Sequence, residues 1–472
     1  MKLKVYHNIL LLLSFWIGSL HAQQGNYNFN NYGNKSILLS GNVTGSVEDL
    51  GLAYYNPSRL AVLENTGIGF SAKAFQLTNL KLENILDSNT KLSNRNFNAI
   101  PSIAGSTFNL FNSRFAISFL SKSSQDIQMG YRSEMEPITN PENETAAENY
   151  QINLNLGSKI KDEWFGLTWA KKLTERLSVG TTIFAIVYEL KGNSGINYTL
   201  FYPEEVLGNY QTQSDFSQKS YGLLFKIGAN YEFDSFELGV NITTPYIEVL
   251  HDASYNYREI LVNLDTENDS FTDFQAKDLK AIRKEPFAVS IGVGIPINRH
   301  KLSLNLDYYA PVSLYKRIDI PDHESFTKIN APDRFYEERN SVINFGAGFE
   351  YNYSENLLFY LSCSSDFNAI KDETPLLDFT SPQVKKLSIN ANYIHFGFGC
   401  TWEFSWSNLV FGTTYSSTSK NLSHILQIPD IDLDYNTDTD SRLRYTRWQF
   451  VVGLEIPFLE SKFKNIIKEE ED

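Results

Sequence analysis

Only two cysteines, Cys363 and Cys400, occur in the 472 residues, so no disulfide framework holds this chain together. Both fall on alternating, strand-like stretches where a small side chain suits a surface; a single bridge between them stays open as an alternative. The seven histidines are scattered, with no His-x-x-x-His or Cys-x-x-Cys spacing, so neither a metal nor another cofactor is expected. There is no Gly-x-Ser-x-Gly elbow and no phosphate-binding loop. His395 is the one candidate base, and nothing in the sequence orients it, so the chain is not expected to be an enzyme. Positive charge is short as well. The formal net charge is −14, and −16 once Lys2 and Lys4 are removed with the leader described next, which excludes nucleic-acid binding by counterion release. No apolar run reaches the roughly 20 residues of a spanning helix.

What is present begins with an export signal. Lys2 and Lys4 precede a short apolar core from Ile9 to Ile17, and Leu20-His21-Ala22 has the form of a cleavage site, so residues 1–22 read as a signal peptide. Thereafter apolar and polar residues alternate with period two, as they do on a strand whose faces meet different surroundings. In "RWQFVVGLEIPF", Trp448, Phe450, Val452, Leu454, Ile456 and Phe458 share a face opposite Arg447, Gln449, Gly453 and Glu455. Leu302, Leu304, Leu306 and Tyr308 likewise oppose Ser303, Asn305 and Asp307, and Ile152, Leu154 and Leu156 oppose Asn153 and Asn155.

About fourteen such strands fit between residues 67 and 458. Their connections alternate between tight turns, such as Phe111-Asn112-Ser113-Arg114 and Tyr353-Ser354-Glu355, and long polar stretches, such as 132–149, 371–386 and 416–442. A soluble sandwich has no reason to keep that order, whereas a transmembrane antiparallel β-barrel has short turns on one side and long loops on the other. The physics agrees: lipid offers no partner to backbone N–H and C=O groups, so strands cross only as a closed cylinder. The expected fold class is therefore all-β, a barrel over residues 67–458 in the outer membrane of a Gram-negative bacterium. Aromatic residues make up 14% of the chain, and Trp164, Trp169, Trp402 and Trp448 are expected in interfacial girdles. Residues 459–472 read as a periplasmic tail. In the last long loop, Asp430, Asp432, Asp434, Asp438 and Asp440 place hard oxygen ligands at alternate positions, but without the Gly and Glu of a calcium loop, so a solvated acidic face is expected.

A barrel of this size has a lumen too wide for wall side chains to fill. Residues 23–66 precede the first strand and are expected to fold into the pore as a hatch. The stretch "GNKSILLSGNVTGSVEDLGLAYYNPSRLAVLENTGIGFSAKAFQ" resembles the start of the long-chain fatty acid transporter family (FadL/TodX type), through Gly41, Gly45, Glu48, Asp49, Asn56, Pro57 and Leu60. Ser58 stands where that family usually has Ala, and Arg59 is an added charge. The resemblance implies a fourteen-stranded barrel with an N-terminal hatch, carried here by Asp49, Asn56, Pro57 and Leu60, and passive passage of hydrophobic small molecules such as long-chain fatty acids or aromatic hydrocarbons. It also implies a distorted third strand that opens the wall sideways. Here that strand alternates cleanly at Phe115, Ile117 and Phe119 and then becomes polar on both faces at Ser121, Lys122, Ser123, Ser124, Gln125 and Asp126. A lipid-facing lysine near mid-membrane costs roughly 2–4 kcal/mol, so this run is expected outside the hydrocarbon or at a bulge, as a lateral gate.

The last strand resembles the signal by which barrels are recognised for insertion, through Gly453, Ile456 and Phe458, with Val451 where a polar residue is usual. The expected partners are thus outer-membrane lipid, a hydrophobic small-molecule ligand and the barrel assembly machinery. An alternative is a barrel that docks a protein partner through its outer loops, as the shuttle component of the type IX secretion machinery does.

Overall fold

The computed structural model describes residues 25–63, 67–84, 91–138, 147–263, 269–321, 335–369, 377–378, 391–422, 426–427 and 441–457. Among these, the wall is a closed antiparallel sheet of fourteen strands, and no helix is long and apolar enough to cross a membrane. The strands are β1 Gly67–Glu83, β2 Lys91–Leu110, β3 Ser113–Arg132, β4 Asn149–Lys172, β5 Leu177–Phe201 and β6 Leu207–Glu232. β7 comes in two pieces, Glu237–Thr243 and Ile247–Val262, as does β8, Ser270–Ala276 and Ala288–Ile297. The wall continues through β9 His300–Tyr309, β10 Val342–Ser354, β11 Leu357–Asp366, β12 Tyr393–Glu403, β13 Asn408–Leu422 and β14 Ser441–Pro457. β14 pairs with β1 from Gly67↔Pro457 to Glu83↔Arg442, which closes the cylinder and brings both ends of the wall to the side of the tight turns.

The period-two pattern sets which face looks out. On β14, Trp448, Phe450 and Val452 are exposed while Arg447 and Gln449 are buried; on β9, Leu304 and Leu306 are exposed while Ser303 and Asn305 are buried. This inside-out distribution is what lipid demands of a wall. On β4 the same parity holds along the strand, but the residue types exchange. Phe165 and Leu167 face outward near the turn side, whereas Ile152, Leu154 and Leu156 at the far end point inward and are buried. The apolar face expected outside at residues 152–156 is thus a lumen face, and the outward-facing Asn153 and Asn155 mark wall that has risen above the hydrocarbon. Trp164 also departs from expectation: it is buried against Phe184 and Tyr54 inside the barrel, while Trp402 and Trp448 are exposed. Cys363 and Cys400 are free thiols.

Strands β5 and β6 pair without interruption from Leu177↔Tyr231 to Phe201↔Leu207. Their upper halves keep alternating with Ser, Asn, Thr, Gln and Tyr in place of aliphatic residues. β7 breaks around Pro245, which has no N–H to give to a ladder. β8 leaves the wall between Ala276 and Ala288. This excursion meets a hairpin of Val312–Ile318 and Phe335–Arg339, through Ile282 N–H to the Arg317 carbonyl at 2.8 Å and Asp319 N–H to the Lys280 carbonyl at 2.9 Å. Together they bring five charged side chains toward the lumen.

The N-terminal segment, residues 25–63, contains two single-turn helices, α1 Lys35–Leu38 and α2 Leu52–Tyr55, followed by a 3-10 turn Pro57–Ala61. It touches wall strands all the way round. A Cβ on Gly228 of β6 would stand 2.1 Å from Asn56 Oδ1, on Gly292 of β8 2.6 Å from Gly45 N, on Gly397 of β12 2.2 Å from the Leu38 carbonyl, and on Gly105 of β2 2.9 Å from Leu50. A segment in contact with opposite sides of a closed cylinder lies within it. The glycines that allow this approach sit toward the tight-turn end.

Candidate functional site

Asp49 organises the first half of the segment. Its carboxylate accepts from Ser36 N at 2.8 Å, Ser36 Oγ at 2.8 Å and Gly51 N at 2.9 Å, tying α1 to the start of α2. Gly33, at φ +99°, passes so close that a Cβ would stand 2.6 Å from Asp49 Oδ1, a conformation and an approach that favour glycine. Burial raises the Asp49 carboxyl, and the hydrogen bonds from Ser36 and Gly51 pull the other way. Asp49→Ala is expected to strand buried donors at about 1–3 kcal/mol, read as faster proteolysis within residues 25–63 while the barrel keeps its heat-resistant migration in detergent gels.

Asn56 anchors the second half. Its Oδ1 accepts from Ser58 N at 3.2 Å and Ser58 Oγ at 2.7 Å, capping the 3-10 turn that Pro57 begins. Its Nδ2 donates to the Thr44 carbonyl at 2.8 Å and across to the Ala229 carbonyl of β6 at 3.3 Å. Leu60 is buried in the core shared by segment and wall. Arg59 is placed as a clamp: its Nε donates to the Val47 carbonyl at 3.2 Å and its Nη1 lies 3.4 Å from Glu237 and 3.8 Å from Glu232. Beside it, Glu48 meets Lys301 at 2.7 Å; burial would raise this carboxyl, but Lys301 and Lys35 bring it down to about 2. A depressed carboxylate stabilises above its unfolded value, so this contact holds at neutral pH and is lost only as pH falls from about 4.5 toward 2.

Above the segment lies a chamber of about 170 Å³, lined by its N-terminal stretch (Tyr27, Phe29, Asn30) and by charged groups. Arg283 reaches Asp162 at 2.7 Å and Glu285 at 2.9 Å, Arg317 reaches Glu337 at 3.2 Å, and Arg339 pairs with Glu337 and, at 3.6 Å, Glu285. Arg283 also stacks 4.1 Å from the Tyr188 ring centroid. Sequence reasoning missed this network because its members read as loop charges. Higher still, an apolar cluster includes Leu80, Leu92, Ile152, Leu154, Tyr198 and Leu443.

The polar run of β3 borders the chamber. The ladder with β4 slips by one residue between Ser121↔Glu163 and Ser123↔Asp162, leaving Lys122 as the bulged residue; Ser124, Gln125 and Asp126 then pair with Lys161, Ile160 and Lys159. Lys122 turns into the lumen, its Nζ 5.2 Å from the Trp164 ring centroid, while Lys159 and Lys161 of β4 stand exposed on the outer face, paired with Asp126 and Ser124. Its carbonyl accepts from Asn30 Nδ2 at 3.0 Å and Tyr32 Oη at 2.7 Å. On the other side of β3, pairing with β2 runs only from Leu110↔Ser113 to Ile103↔Leu120 among the described residues. Beyond that point two side chains bridge the strands, Asn94 Nδ2 to the Gln128 carbonyl at 2.6 Å and Asn96 Nδ2 to the Asp126 carbonyl at 2.9 Å.

His395, unoriented in the sequence, has partners in space: Nδ1 lies 2.7 Å from Ser416 Oγ and Nε2 3.4 Å from Asp366 Oδ2. This line of Ser, His and Asp is buried, and Ser416 Oγ also accepts from Arg447 at 3.2 Å. Asp366 meanwhile accepts from Asn28 N at 3.1 Å, so the line ties the N-terminal segment to the wall and presents no exposed nucleophile. Gly453 packs against the segment as well, since a Cβ there would stand 2.3 Å from Asn34 Oδ1; Ile456 is exposed. Phe458, the signal peptide 1–22, the tail 459–472 and the acidic run 430–440 lie outside the described residues.

No family model and no curated protein matches the sequence. Solved structures match in fold across nearly the whole chain. The toluene transporter TodX of P. putida is 10% identical at TM-score 0.58, covering 91% of this chain and 99% of that one. A FadL homologue of Pseudomonas aeruginosa is 10% identical at TM-score 0.54, covering 93% and 100%. The toluene transporter TbuX of Ralstonia pickettii is 12% identical at TM-score 0.54, covering 92% and 100%. The chain therefore has the fold of the FadL/TodX-type transporters.

Proposed function

We propose that the protein is a passive channel of a Gram-negative outer membrane for hydrophobic small molecules, of the class of long-chain fatty acids or aromatic hydrocarbons. The observation that carries this reading is the end of the β2–β3 ladder beside the bulge at Lys122, at the level of the chamber. At this level the outer face passes from Phe165 to Glu163 and Lys161, so a wall left unzipped there serves as a route at the upper edge of the hydrocarbon. In this reading a ligand reaches the apolar upper lumen from the loop side, passes to the chamber and leaves sideways between β2 and β3. Ser121, Lys122, Ser123, Ser124, Gln125 and Asp126 form the gate. Residues 25–63 are the hatch that stops bulk flow toward the periplasm. Movement follows the gradient, and barrel assembly machinery inserts the chain by its last strand.

The solved structures of like fold named for toluene transport support the substrate class by analogy only. The alternative, a barrel that docks a protein partner, depends on outer loops whose residues 139–146 and 428–440 lie outside the described ones. Organic extraction of the purified protein followed by mass spectrometry is expected to recover a hydrophobic small molecule at about one per chain. Recovery of a stoichiometric protein partner and no small molecule would favour docking instead.

A further inference from the structure

Below the N-terminal segment, at the tight-turn end of the barrel, lies a vestibule of about 1030 Å³, at the upper end of the size of ligand sites. The lower surface of that segment lines it through Leu50, Val62 and Leu63, the last two only half-buried. Its charge is one-sided: six carboxylates line it against two cations, Lys35 and Arg59, a net −4. Both cations are already engaged, Lys35 with Glu403 at 3.7 Å and Arg59 with Glu237 at 3.4 Å and Glu232 at 3.8 Å. Glu455 at the rim makes no ion pair among the described residues and accepts from a neutral donor, the Asn34 amide, at 2.8 Å. Asn34 is itself 1% exposed, and its Oδ1 is buried without a donor. A half-enclosed mouth with surplus carboxylate concentrates cationic groups, and an ammonium has N–H donors for both Glu455 and Asn34.

The chain carries such groups beside this mouth. β14 ends at Pro457, one residue past Ile456, which lines the vestibule. In the sequence that follows, Leu459, Phe463, Ile466 and Ile467 have the i, i+4, i+7, i+8 spacing of one helix face, and Lys462 and Lys464 flank that face. We propose that the vestibule is the docking site of the chain's own residues 459–468. Their apolar side chains cover Leu50, Val62 and Leu63, and their lysines meet Glu455 and its neighbours. Charge sets the direction of entry. Residues 459–468 carry three lysines against Glu460, a net +2, whereas Glu469 to Asp472 are four acids that the lining repels. A short tether holds the segment at millimolar effective concentration, so an affinity of only about 0.1 mM seats it roughly nine-tenths of the time. Docked there, it braces the N-terminal segment from the side opposite the chamber. This inference goes beyond the channel reading and stands whether or not the barrel passes hydrophobic ligands.

Contact quenching of bimane by tryptophan tests it in the full chain in vesicles. The fluorophore is attached at Ile467→Cys in a chain carrying Cys363→Ser and Cys400→Ser. Adding Leu63→Trp inside the vestibule is expected to cut its emission at least about twofold, as a segment seated nine-tenths of the time requires. Lys462→Glu with Lys464→Glu, which alters no residue of the wall, is expected to restore the emission. Emission unchanged by Leu63→Trp in a barrel that keeps its heat-resistant migration, or a quench that survives the double lysine reversal, would overturn the docking. A blue shift on anionic vesicles without a quench would overturn it in favour of the lipid surface. Should Leu63→Trp fail to fold, trypsin cleavage at Lys462, Lys464 and Lys468 of the unmodified chain in detergent carries the test. It is expected to be about tenfold slower than in a free synthetic peptide of residues 457–472, since only the undocked fraction is cut. Equal rates would overturn the proposal.

Discussion

Deleting Lys122 is expected to lower transfer of a hydrophobic probe into vesicles at least about tenfold while the barrel still assembles and resists gentle heating in detergent. The reasoning starts from register. A bulge is one extra residue on one strand, so removing it lets Ser121 and Ser123 pair in sequence with Glu163 and Asp162 without turning the rest of β3 inside out. Regular geometry lets β3 lie flat beside β2 beyond Ile103, where pairing now stops. It also withdraws the Lys122 carbonyl that Asn30 and Tyr32 hold. A closed ladder pairs the backbone groups left open at the break, so the repaired wall is the more stable one, and transfer is lost through closure and not through misfolding. Unchanged transfer in a correctly assembled deletion would remove β3 from the route.

A second large effect is expected in the opposite direction. In Gly228→Val the new Cβ would stand 2.1 Å from Asn56 Oδ1, 2.9 Å from Pro57 Cδ and 3.1 Å from Pro57 N, and the Asn56 amide is itself held by Ser58 and by the Thr44 and Ala229 carbonyls. Overpacking of this kind costs about 1–3 kcal/mol, which raises the unseated fraction of the N-terminal segment roughly 5- to 150-fold. The wall itself loses no hydrogen bond, since side chains at this position point into the lumen. Ion conductance across planar bilayers is expected to rise accordingly, with residues 25–63 becoming open to protease. Conductance equal to that of the unmodified protein would mean that this segment does not close the pore.

The wall was legible because lipid imposes a simple rule. Alternation, tight turns and long loops give fourteen strands in order, and Leu304, Phe450 and Gly453 face where their spacing puts them. The limits of that reading have physical causes. Alternation tells which residues share a face but not which face is the lumen, so Ile152, Leu154 and Leu156 and the aromatic Trp164 were assigned outward and lie inward. Above the membrane β5 and β6 keep their ladder with polar residues on both sides, and a rule keyed to apolar side chains stops too early. At the site, Asn56 and Asp49 came through the resemblance to the start of the FadL/TodX family, and the bulge through a lysine that lipid would not tolerate. The Arg283 network left no local trace, because it arises only when β8 leaves the wall.

The central claim is that ligand leaves through the side of the barrel between β2 and β3. Asn96→Cys and Ile127→Cys, introduced together in a chain carrying Cys363→Ser and Cys400→Ser, place a thiol on the lumen face of each strand beside the point where Asn96 reaches the Asp126 carbonyl across the break. With the protein in vesicles, probe transfer is measured after oxidation and again after reduction of the same sample. Transfer that is lost on oxidation and returns with reductant is the predicted result. Transfer at the same rate in both states, with the bridge verified by mass spectrometry, would contradict the lateral route.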